Sequence, residues 1–490
     1  MNKDNPILQY IYSQRWCSFK NEITDDSIED IQFFDTEFDN SEKVFVMGKV
    51  IFKNGDDEFF IMPLSKGTME AEVPFKYNDV DVYDAVKSPN YWSAIMKEIT
   101  LDKSLNIANQ YNLVYRSWDD FDFITNHISD NSYPLNVEQS NSTIIVGEKV
   151  LAFKQQRMIE FLDDTDVEVE MNYNLMKAGS TAVPKTYGHL SLIAPDGKSA
   201  FIGIVQEFVH NNGDLWVIAK EQLLKILSGA FENGEKSIKK AEYKDITKLM
   251  KNLGKKTEEL IKCLLSFNGD DLTPEKIGDE YLQHYKSTIV DLLKETKENI
   301  IKNIDKLSSD MALEIQNPII KADNIEKFII DSFGKIEVRE DKGLLMRVHG
   351  DFHLGQAIQT DTGDIKFIDF AGEPNLAPSE RKTKHSYMYD VAGMYRSISG
   401  YLPIVVSKHF ATDENGKIDN EKLLWANDVI KPIIKNLADA FIGELNIDNE
   451  WLTIEIFRRN LYEVNYEIAY RPQMLFIPIN NLKELILNNK

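Results

Sequence analysis

The sequence feature that most constrains the fold is a change in the apolar pattern, from one typical of strands to one typical of helices, at about residue 210. Residues 142–147 (STIIVG) and 150–156 (VLAFKQQ) are apolar and β-branched runs on either side of a turn, which predicts a β-hairpin. Apolar spacing over 167–179 predicts a helix, and 199–209 (SAFIGIVQEFV) predicts a buried strand. From 216 to about 330 the apolar residues recur at i, i+3, i+4 and i+7, which is typical of long amphipathic helices. The sequence therefore predicts a small α+β lobe followed by a larger, mostly helical lobe.

A strand-rich segment precedes these two lobes. Residues 43–52 (KVFVMGKVIF) and 58–65 (EFFIMPLS) flank an Asn-Gly dipeptide, which predicts another hairpin, and 90–99 predicts a short helix. An acidic, asparagine-rich stretch at 118–133 is a candidate boundary. We therefore expect three parts, which are an N-terminal cap domain in 1–130, a small lobe in 131–210 that ends in a hinge, and a helical lobe in 211–490.

The charge of the chain excludes some partners. Its 490 residues include 56 basic and 79 acidic side chains, a net charge of −23, which repels nucleic acid and anionic lipid. The two cysteines, Cys17 and Cys263, lie far apart and form neither a disulfide framework nor a metal cluster. The first 16 residues lack the apolar core of a signal peptide, and no run is long enough for a membrane span. We expect a cytoplasmic protein that is a monomer or a weak homodimer.

The stretch from Arg347 to Pro374, RVHGDFHLGQAIQTDTGDIKFIDFAGEP, sets acidic and polar side chains between short apolar runs. A zinc site built on the H-x-D-x-H of residues 349–353 would need a third or fourth His or Cys, and none lies nearby in the sequence. A hydrolase that uses paired carboxylates stays open, although two carboxylates alone are a weak signal. Phosphoryl transfer is the third chemistry, and it needs a catalytic carboxylate and metal-binding oxygens in a particular order.

The spacing of this stretch fits phosphoryl transfer. Asp351 is followed five residues later by Gln356, and Asp369 follows after a further thirteen, behind the apolar run IKFI. Protein kinases place a catalytic Asp, a metal-binding amide and a metal-binding Asp in this order. Upstream, Lys154 ends a predicted strand, and Glu168 lies on the next predicted helix, where it could hold a lysine that contacts ATP phosphates. The order of these residues predicts a kinase.

Together these motifs resemble those of the maltokinases, in the aminoglycoside-phosphotransferase-like branch of the protein-kinase-like superfamily. The similar segments cover most of the chain: QRWCSFK (14–20), EQSNST (138–143), VQEFVHNNGDLW (205–216), LGKKTEEL (253–260), RVHGDFHLGQ (347–356), IDFAGEP (368–374), YDVAGMYRSI (389–398) and LYEVNYEIAYRPQMLFIPI (461–479). EQSNST stands where other kinases have a glycine-rich loop. The resemblance implies a bilobal protein-kinase-like fold of the α+β class, with an N-terminal cap and a cleft between the lobes. It also implies ATP-dependent phosphorylation of maltose to maltose 1-phosphate.

Carried over to this sequence, the resemblance implies a role for each motif residue. Asp351 would accept the proton of the sugar hydroxyl, and Gln356 and Asp369 would hold Mg²⁺. The ATP contacts would come from Lys154, Glu168, Ser140, Asn141, Ser142 and Thr143, with the backbone of Gln206, Glu207 and Phe208 pairing with adenine. The sugar acceptor would face Glu467, Arg471 and His353.

Some features leave alternatives open. Gln473 and Met474 stand where the family has Asp-Trp, and a methionine offers no flat face for a sugar ring. Glucosamine kinases of the same branch share the phosphoryl-transfer core and would fit this altered end. Lys149 is the alternative to Lys154 as phosphate lysine, and Glu373 could join the Mg²⁺ site or be structural. A catalytically inactive, nucleotide-binding scaffold is the alternative of another class, although it would not need the catalytic and metal residues together.

Overall fold

The computed structural model describes residues 6–14, 16–17, 28–37, 43–53, 57–67, 74–102, 104–108, 110–135, 141–235, 237–303, 324–373 and 376–488. These residues form two compact units. The first consists of Met1–Lys177 with Pro184–His210, and the second of Ala178–Val183 with Asn211–Lys490. The chain thus changes unit at residue 210, where the sequence predicts the end of the small lobe.

The first unit contains two antiparallel sheets. The strands are β1 Ile28–Glu37, β2 Lys43–Phe52, β3 Glu58–Lys66, β4 Phe75–Tyr77, β5 Val80–Asp84, β6 Leu105–Ile107, β7 Tyr111–Ser117, β8 Ser132–Pro134, β9 Ser142–Val146, β10 Leu151–Gln155, β11 Met158–Ile159, β12 Phe161–Leu162, β13 Thr186–Ile193 and β14 Ser199–Glu207. One sheet has the strand order β1-β2-β3-β5-β4 with β11 beside β3, and the other has the order β6-β7-β13-β14-β10-β9-β8 with β12 beside β14. The helices are α1 Pro6–Ser13, α2 Tyr91–Asp102, α3 Phe121–Asn126 and α4 Val167–Lys177.

The predicted hairpins of this unit are present. Strands β9 and β10 pair from Ser142 with Gln155 to Val146 with Leu151, and the turn between them places Gly147 and Lys149 at positive φ. Strands β2 and β3 pair in the same antiparallel manner, although their Asn-Gly turn lies outside the described residues. The helix predicted over 167–179 begins at Val167 and ends two residues early, before Gly179.

Strands from both sides of residue 130 share the two sheets. Strand β7 pairs with β13, and β11 pairs with β3. The division of this unit into a cap and a kinase lobe at residue 130 therefore stays a prediction, and it does not separate two compact bodies.

A buried ion pair joins the two sides of that position. The guanidinium of Arg157 contacts Asp84, with Nη2 2.5 Å from Oδ2, and both residues are buried. Nη1 of Arg157 also donates to the Ser142 hydroxyl at 3.3 Å, and the Trp16 ring lies 4.8 Å from the guanidinium. Burying a charge costs free energy, and its partner of opposite charge offsets that cost. Removal of one partner therefore leaves the other charge buried and uncompensated.

Replacing Arg157 with methionine should therefore lower the free energy of unfolding by about 3–5 kcal/mol, because the carboxylate of Asp84 would remain buried and uncompensated. Urea denaturation followed by fluorescence measures this loss. Lys76→Met is the matched control, since the ion pair of Lys76 with Asp81 is exposed and should contribute about 1 kcal/mol or less. Equal losses in the two variants would show that the buried pair adds nothing.

The second unit is mostly helical. Its helices are α5 Leu215–Glu232, α6 Lys244–Leu265, α7 Asp279–Asn303, α8 Asn324–Glu337, α9 Pro378–Arg381, α10 Met388–Arg396, α11 Leu402–Ala411, α12 Asn420–Ile442, α13 Asn449–Tyr470 and α14 Phe476–Asn488. A π-helical turn, Ser397–Tyr401, joins α10 to α11. The predicted amphipathic pattern is present in α6, where Ile246, Leu249, Met250 and Leu253 are buried. No helix among the described residues combines the length and the apolar character needed to cross a membrane.

Short strands of the second unit hold the loops of the Arg347–Pro374 stretch. Strands β15 Asn211–Asp214, β18 Ala357–Thr360 and β19 Ile365–Phe367 form a small sheet in that order, and β16 Glu275–Lys276 pairs with β17 Leu344–Leu345. Strands β18 and β19 form a hairpin, with Ala357 opposite Phe367. Gln356 directly precedes β18 and Asp369 follows two residues after β19, so the hairpin brings the two side chains together.

Candidate active site

The HGD segment is fixed by a buried carboxylate from α10. Asp390 accepts hydrogen bonds from the backbone N–H groups of His349 at 2.7 Å and Gly350 at 3.0 Å. The His349 ring, through Nε2, lies 2.9 Å from the carbonyl oxygen of Ile368, next to Asp369. These contacts tie the predicted catalytic loop to α10 and to the predicted metal loop, so Asp390 and His349 have structural roles here.

The two loops also touch through their glycines. Gly350 has a φ of +87°, and a Cβ at this position would lie 2.9 Å from the Cα of Gly372. Only a glycine fits so close to another backbone at such a φ. The HGD and DFAG segments, which carry Asp351 and Asp369, are therefore held in direct contact.

Gln356 and Asp369 lie close enough to share a metal ion. The amide Nε2 of Gln356 donates to Oδ2 of Asp369 at 3.3 Å, and Asp369 occupies the left-handed region with a φ of +68°. A rotation of the amide would turn its oxygen toward the carboxylate, giving the two hard oxygen ligands that Mg²⁺ accepts beside water and phosphate oxygens. The described residues hold no cluster of three or more His, Cys, Asp or Glu that could bind a metal. The donor set thus fits Mg²⁺ shared with a phosphorylated ligand.

Asp351 lies between a histidine and an arginine. Its Oδ1 is 3.2 Å from Nη2 of Arg459, and its Oδ2 is 3.7 Å from Nε2 of His353. Burial by itself raises the pKa of Asp351, but the contact with His353 and the charge of Arg459 outweigh it and hold that pKa well below its ordinary value. The carboxylate is therefore ionised over the whole physiological range.

Arg459, on α13, is the centre of this charge network and was not singled out by the sequence reasoning. Besides Asp351, its guanidinium contacts Glu373, with Nη1 2.6 Å from Oε1, and Glu463, with Nε 3.6 Å from Oε1. Glu373 is buried and paired with this arginine, which favours the structural alternative over a place in the metal site. The sequence feature that could have indicated Arg459 is the pair of consecutive arginines, Arg458 and Arg459, within an apolar helix pattern.

Replacing Arg459 with methionine should introduce a loss of kcat/KM on the acid side of the pH profile. Arg459 lowers the pKa of Asp351, so without it that pKa rises and a growing fraction of the carboxyl is protonated as the pH falls. The wild type should keep a constant kcat/KM on the acid side. Arg459→Lys keeps a positive charge near Asp351, so its kcat/KM should fall less at low pH than that of Arg459→Met. A flat acid side in the methionine variant would contradict the assignment of Asp351 as the ionised catalytic group.

A cavity of about 430 Å³ opens beside Asp351, within the second unit. This volume lies in the range of small-molecule sites. Its wall includes Asp351, His353, Arg459, Glu463, Arg471, Met474, Asp214 and the aromatic side chains Trp216, Tyr401, Tyr462 and Tyr466. Aromatic faces are thus present even though Met474 replaces the tryptophan of the family motif.

Glu467 and Arg471 are placed differently from the sequence prediction. Arg471 lines the cavity, but the Glu467 side chain is fully buried and is bonded to Arg471 at 2.8 Å and to the Tyr401 hydroxyl at 2.8 Å. Burial raises the pKa of Glu467, against the opposing effect of both partners. The expectation that Glu467 contacts the sugar does not fit this burial. Glu467 instead holds Arg471 and Tyr401, two side chains of the cavity wall.

Replacing Glu467 with alanine should raise the KM of the acceptor several-fold, because Arg471 and Tyr401 lose the group that orients them. The KM of ATP should change little, since neither side chain is among those predicted to contact the nucleotide. Steady-state kinetics with each substrate varied in turn measures the two constants. Equal increases in both would indicate a general loss of structure, and two unchanged constants would place the acceptor elsewhere.

The first unit contains the predicted phosphate lysine. Nζ of Lys154, on β10, lies 2.8 Å from Oε1 of Glu168, on α4, and Glu168 is buried. Lys149 lies in the hairpin turn, with its Nζ 5.8 Å from the centre of the Phe208 ring. The lysine that pairs with the helix carboxylate is therefore Lys154, as the sequence predicts, and not Lys149.

The predicted phosphate loop is partly a strand. Ser142 and Thr143 belong to β9, where they pair with Gln155 and Lys154, and the hydroxyl of Ser142 accepts from Arg157. Asn141 precedes the strand, and Ser140 lies outside the described residues. The expectation that all four residues form a loop over the phosphates therefore needs correction for Ser142 and Thr143.

The predicted adenine-binding segment is engaged in the sheet. The backbone N–H of Glu207 donates to the carbonyl of Lys185 at 2.8 Å, and that of Phe208 donates to the carbonyl of Val150 at 3.0 Å. The Gln206 side chain donates to Asn172 and Thr186. The N–H groups of Glu207 and Phe208 are thus engaged in the sheet, which does not fit the expectation that they pair with adenine.

Comparisons with known proteins find similarity in sequence and in fold. No model of a known protein family matches the sequence. A curated glucosamine kinase from Streptacidiphilus jiangxiensis is 27% identical over 150 residues, which are 29% of this chain and 32% of that protein. The chain is thus matched over only about a third of the length of this curated relative.

Solved structures of glucosamine kinase show the same fold over nearly the whole chain. A glucosamine kinase in complex with glucosamine, ADP and inorganic phosphate has a TM-score of 0.59 at 15% identity and covers 97% of this chain and 98% of its own. A second glucosamine kinase structure, crystal form A, has the same TM-score and identity and covers 99% and 96%. The predicted α+β class, with strand-rich sheets first and a helical region after them, is confirmed.

Proposed function

We propose that this protein is an ATP-dependent sugar kinase. The observation that carries the proposal is the position of Asp351, which lines a cavity of small-molecule size on a loop that directly contacts the loop of Asp369. A catalytic carboxylate beside a metal-binding pair is the arrangement that phosphoryl transfer requires. The fold shared with glucosamine kinase structures supports the same conclusion.

In the proposed reaction a sugar hydroxyl attacks the γ-phosphorus of ATP. The bond from that phosphorus to the β,γ-bridging oxygen breaks, ADP leaves, and the hydroxyl proton passes to Asp351. Because the pKa of Asp351 is held low, its main task is to orient the hydroxyl, and the proton follows late, as suits a loose transition state. Lys154, held by Glu168, would contact the ATP phosphates.

Gln356 and Asp369 would hold Mg²⁺ in this proposal. The ion neutralises charge on the phosphate oxygens when it is bound. The β18–β19 hairpin brings the side chains of the two residues together. Mg²⁺ and ATP are thus the cofactor and co-substrate of the proposal, which also assigns a cytoplasmic location and a monomer or weak homodimer.

We place glucosamine first among the acceptors and maltose second. The sequence motifs at both ends of the chain led us to expect maltose, with maltose 1-phosphate as product. The relatives reported above are glucosamine kinases, and Met474 lines the cavity where the maltokinase motif has a tryptophan. A non-catalytic nucleotide-binding scaffold is a weaker proposal, because such a protein needs neither the acceptor cavity nor the ionised Asp351.

A panel of glucosamine, maltose, glucose and trehalose tests the function. Each sugar is incubated with Mg-ATP, and ADP release is followed with and without the sugar. We expect release that depends on the sugar, fastest with glucosamine. If ADP release were the same with and without every sugar, the protein would be an ATPase and not a sugar kinase. If no ADP were released at all, the non-catalytic nucleotide-binding scaffold would be favoured.

A further inference from the structure

Three carboxylates line the cavity beside Asp351, and they differ in their partners. Asp351 lies against Arg459, and Glu463 lies 2.7 Å from Nη2 of Arg396. The side chain of Asp214, which ends β15 and precedes α5, makes one hydrogen bond to the described residues, in which its Oδ1 accepts from the backbone N–H of Val217 at 2.8 Å. In the part of the chain that the structure describes, no lysine, arginine or histidine lies within 4.0 Å of its carboxylate. Its negative charge is therefore the one uncompensated by a cation in this wall.

An aromatic side chain accompanies this carboxylate. Trp216 follows two residues after Asp214, is half-buried and lines the same cavity. An indole face attracts a cation, and a nearby carboxylate adds a direct charge. The remaining charged groups of the wall, Arg459, Glu463 and Arg471, already have partners of opposite sign. The cavity thus offers one place where a ligand cation gains more than a neutral hydroxyl, which can donate a hydrogen bond but carries no charge.

We infer that Asp214 and Trp216 form a cation subsite that takes the protonated amine of an amino sugar acceptor. The inference rests on the proposed function and deepens it, because it names the group that separates an amino sugar from a neutral one. Capping of α5 is the simpler role for Asp214, but the cap uses one oxygen only. Asparagine caps helices as well as aspartate does, so a change to asparagine removes the charge and retains the cap.

The test is the Asp214→Asn variant, compared with Asp419→Asn. Asp419 caps α12 from an exposed position in the same manner and lies outside the cavity wall, so it is the matched control. The quantity measured is the ratio of kcat/KM for glucosamine to kcat/KM for glucose. We expect this ratio to fall by roughly 10- to 100-fold in Asp214→Asn, as for the loss of a hydrogen-bonded charge, and to keep its wild-type value in Asp419→Asn.

An unchanged ratio in Asp214→Asn, with sugars still phosphorylated, would overturn the inference while the proposed function stands. An equal loss with both sugars would also overturn it, since the carboxylate would then not distinguish the amine. If the wild type phosphorylates none of the four sugars of the panel, the proposed function fails, and calorimetric binding of glucosamine and glucose still tests the subsite. A binding preference for glucosamine that disappears in Asp214→Asn would then support the subsite, and equal binding would overturn it.

Discussion

Replacing Asp351 with asparagine should lower kcat for sugar phosphorylation by about 10²–10⁴-fold, the usual contribution of a positioned proton acceptor. Asparagine has the shape of aspartate and can still contact His353, but it cannot accept the proton of the attacking hydroxyl. The carboxylate is ionised in the wild type because Arg459 and His353 lower its pKa, so no pH within the physiological range should restore the variant. Affinity for ATP should remain nearly that of the wild type.

The measurement pairs steady-state kinetics with a direct nucleotide-binding assay. Asp341→Asn is the matched control, because Asp341 is an exposed carboxylate of the same unit whose contact is to the backbone of Gly343. Turnover near that of the wild type in Asp351→Asn would remove Asp351 from the chemistry. If Asp351→Asn lost both turnover and ATP binding, Asp351 would have a structural role instead.

Replacing Asp369 with alanine should lower kcat by roughly 10²-fold or more at saturating sugar, because a metal-bridged phosphate contributes several kcal/mol of charge stabilisation. The remaining Gln356 amide is a neutral ligand and would hold Mg²⁺ poorly. Mg²⁺-dependent binding of ATP should weaken more than binding of the sugar alone. Titration with Mg²⁺ in the presence of ATP measures the shift, and an excess of chelator should abolish wild-type activity.

Asp361→Ala is the control for this variant, since Asp361 is an exposed carboxylate on the turn of the same β18–β19 hairpin. An unchanged requirement for Mg²⁺ in Asp369→Ala would contradict the metal assignment. Wild-type turnover that persists in excess chelator would contradict it as well.

Local sequence patterns predicted the parts of the site that neighbouring elements build. Lys154 and Glu168 were found because a kinase needs a lysine on a strand and a glutamate on the next helix, and the periods of this strand and helix are clear. The Gln356–Asp369 pair was found because its spacing from Asp351 is that of a kinase, and the hairpin between the two residues is short. Such contacts depend on few intervening residues, so spacing alone indicates them.

The contacts that the sequence did not reveal join distant segments. Arg459 reaches Asp351 from 108 residues away along the chain, and a helix pattern does not show which turn of α13 meets the catalytic loop. Glu467 and Arg471 are four residues apart and contact each other, although Arg471 lies just past the end of α13. Spacing does not give depth, however, and the two side chains bind each other with Glu467 fully buried. Tertiary packing decided which of the pair faces the cavity.

The central claim is the transfer of a phosphoryl group from ATP to a sugar. Mass spectrometry of the sugar after incubation with the purified protein and Mg-ATP tests it most directly. We predict a sugar monophosphate formed in equal amount with ADP by the wild type, and at least about 100-fold less of it from Asp351→Asn over the same time. ADP formed without any phosphorylated sugar, across glucosamine, maltose, glucose and trehalose, would contradict the claim.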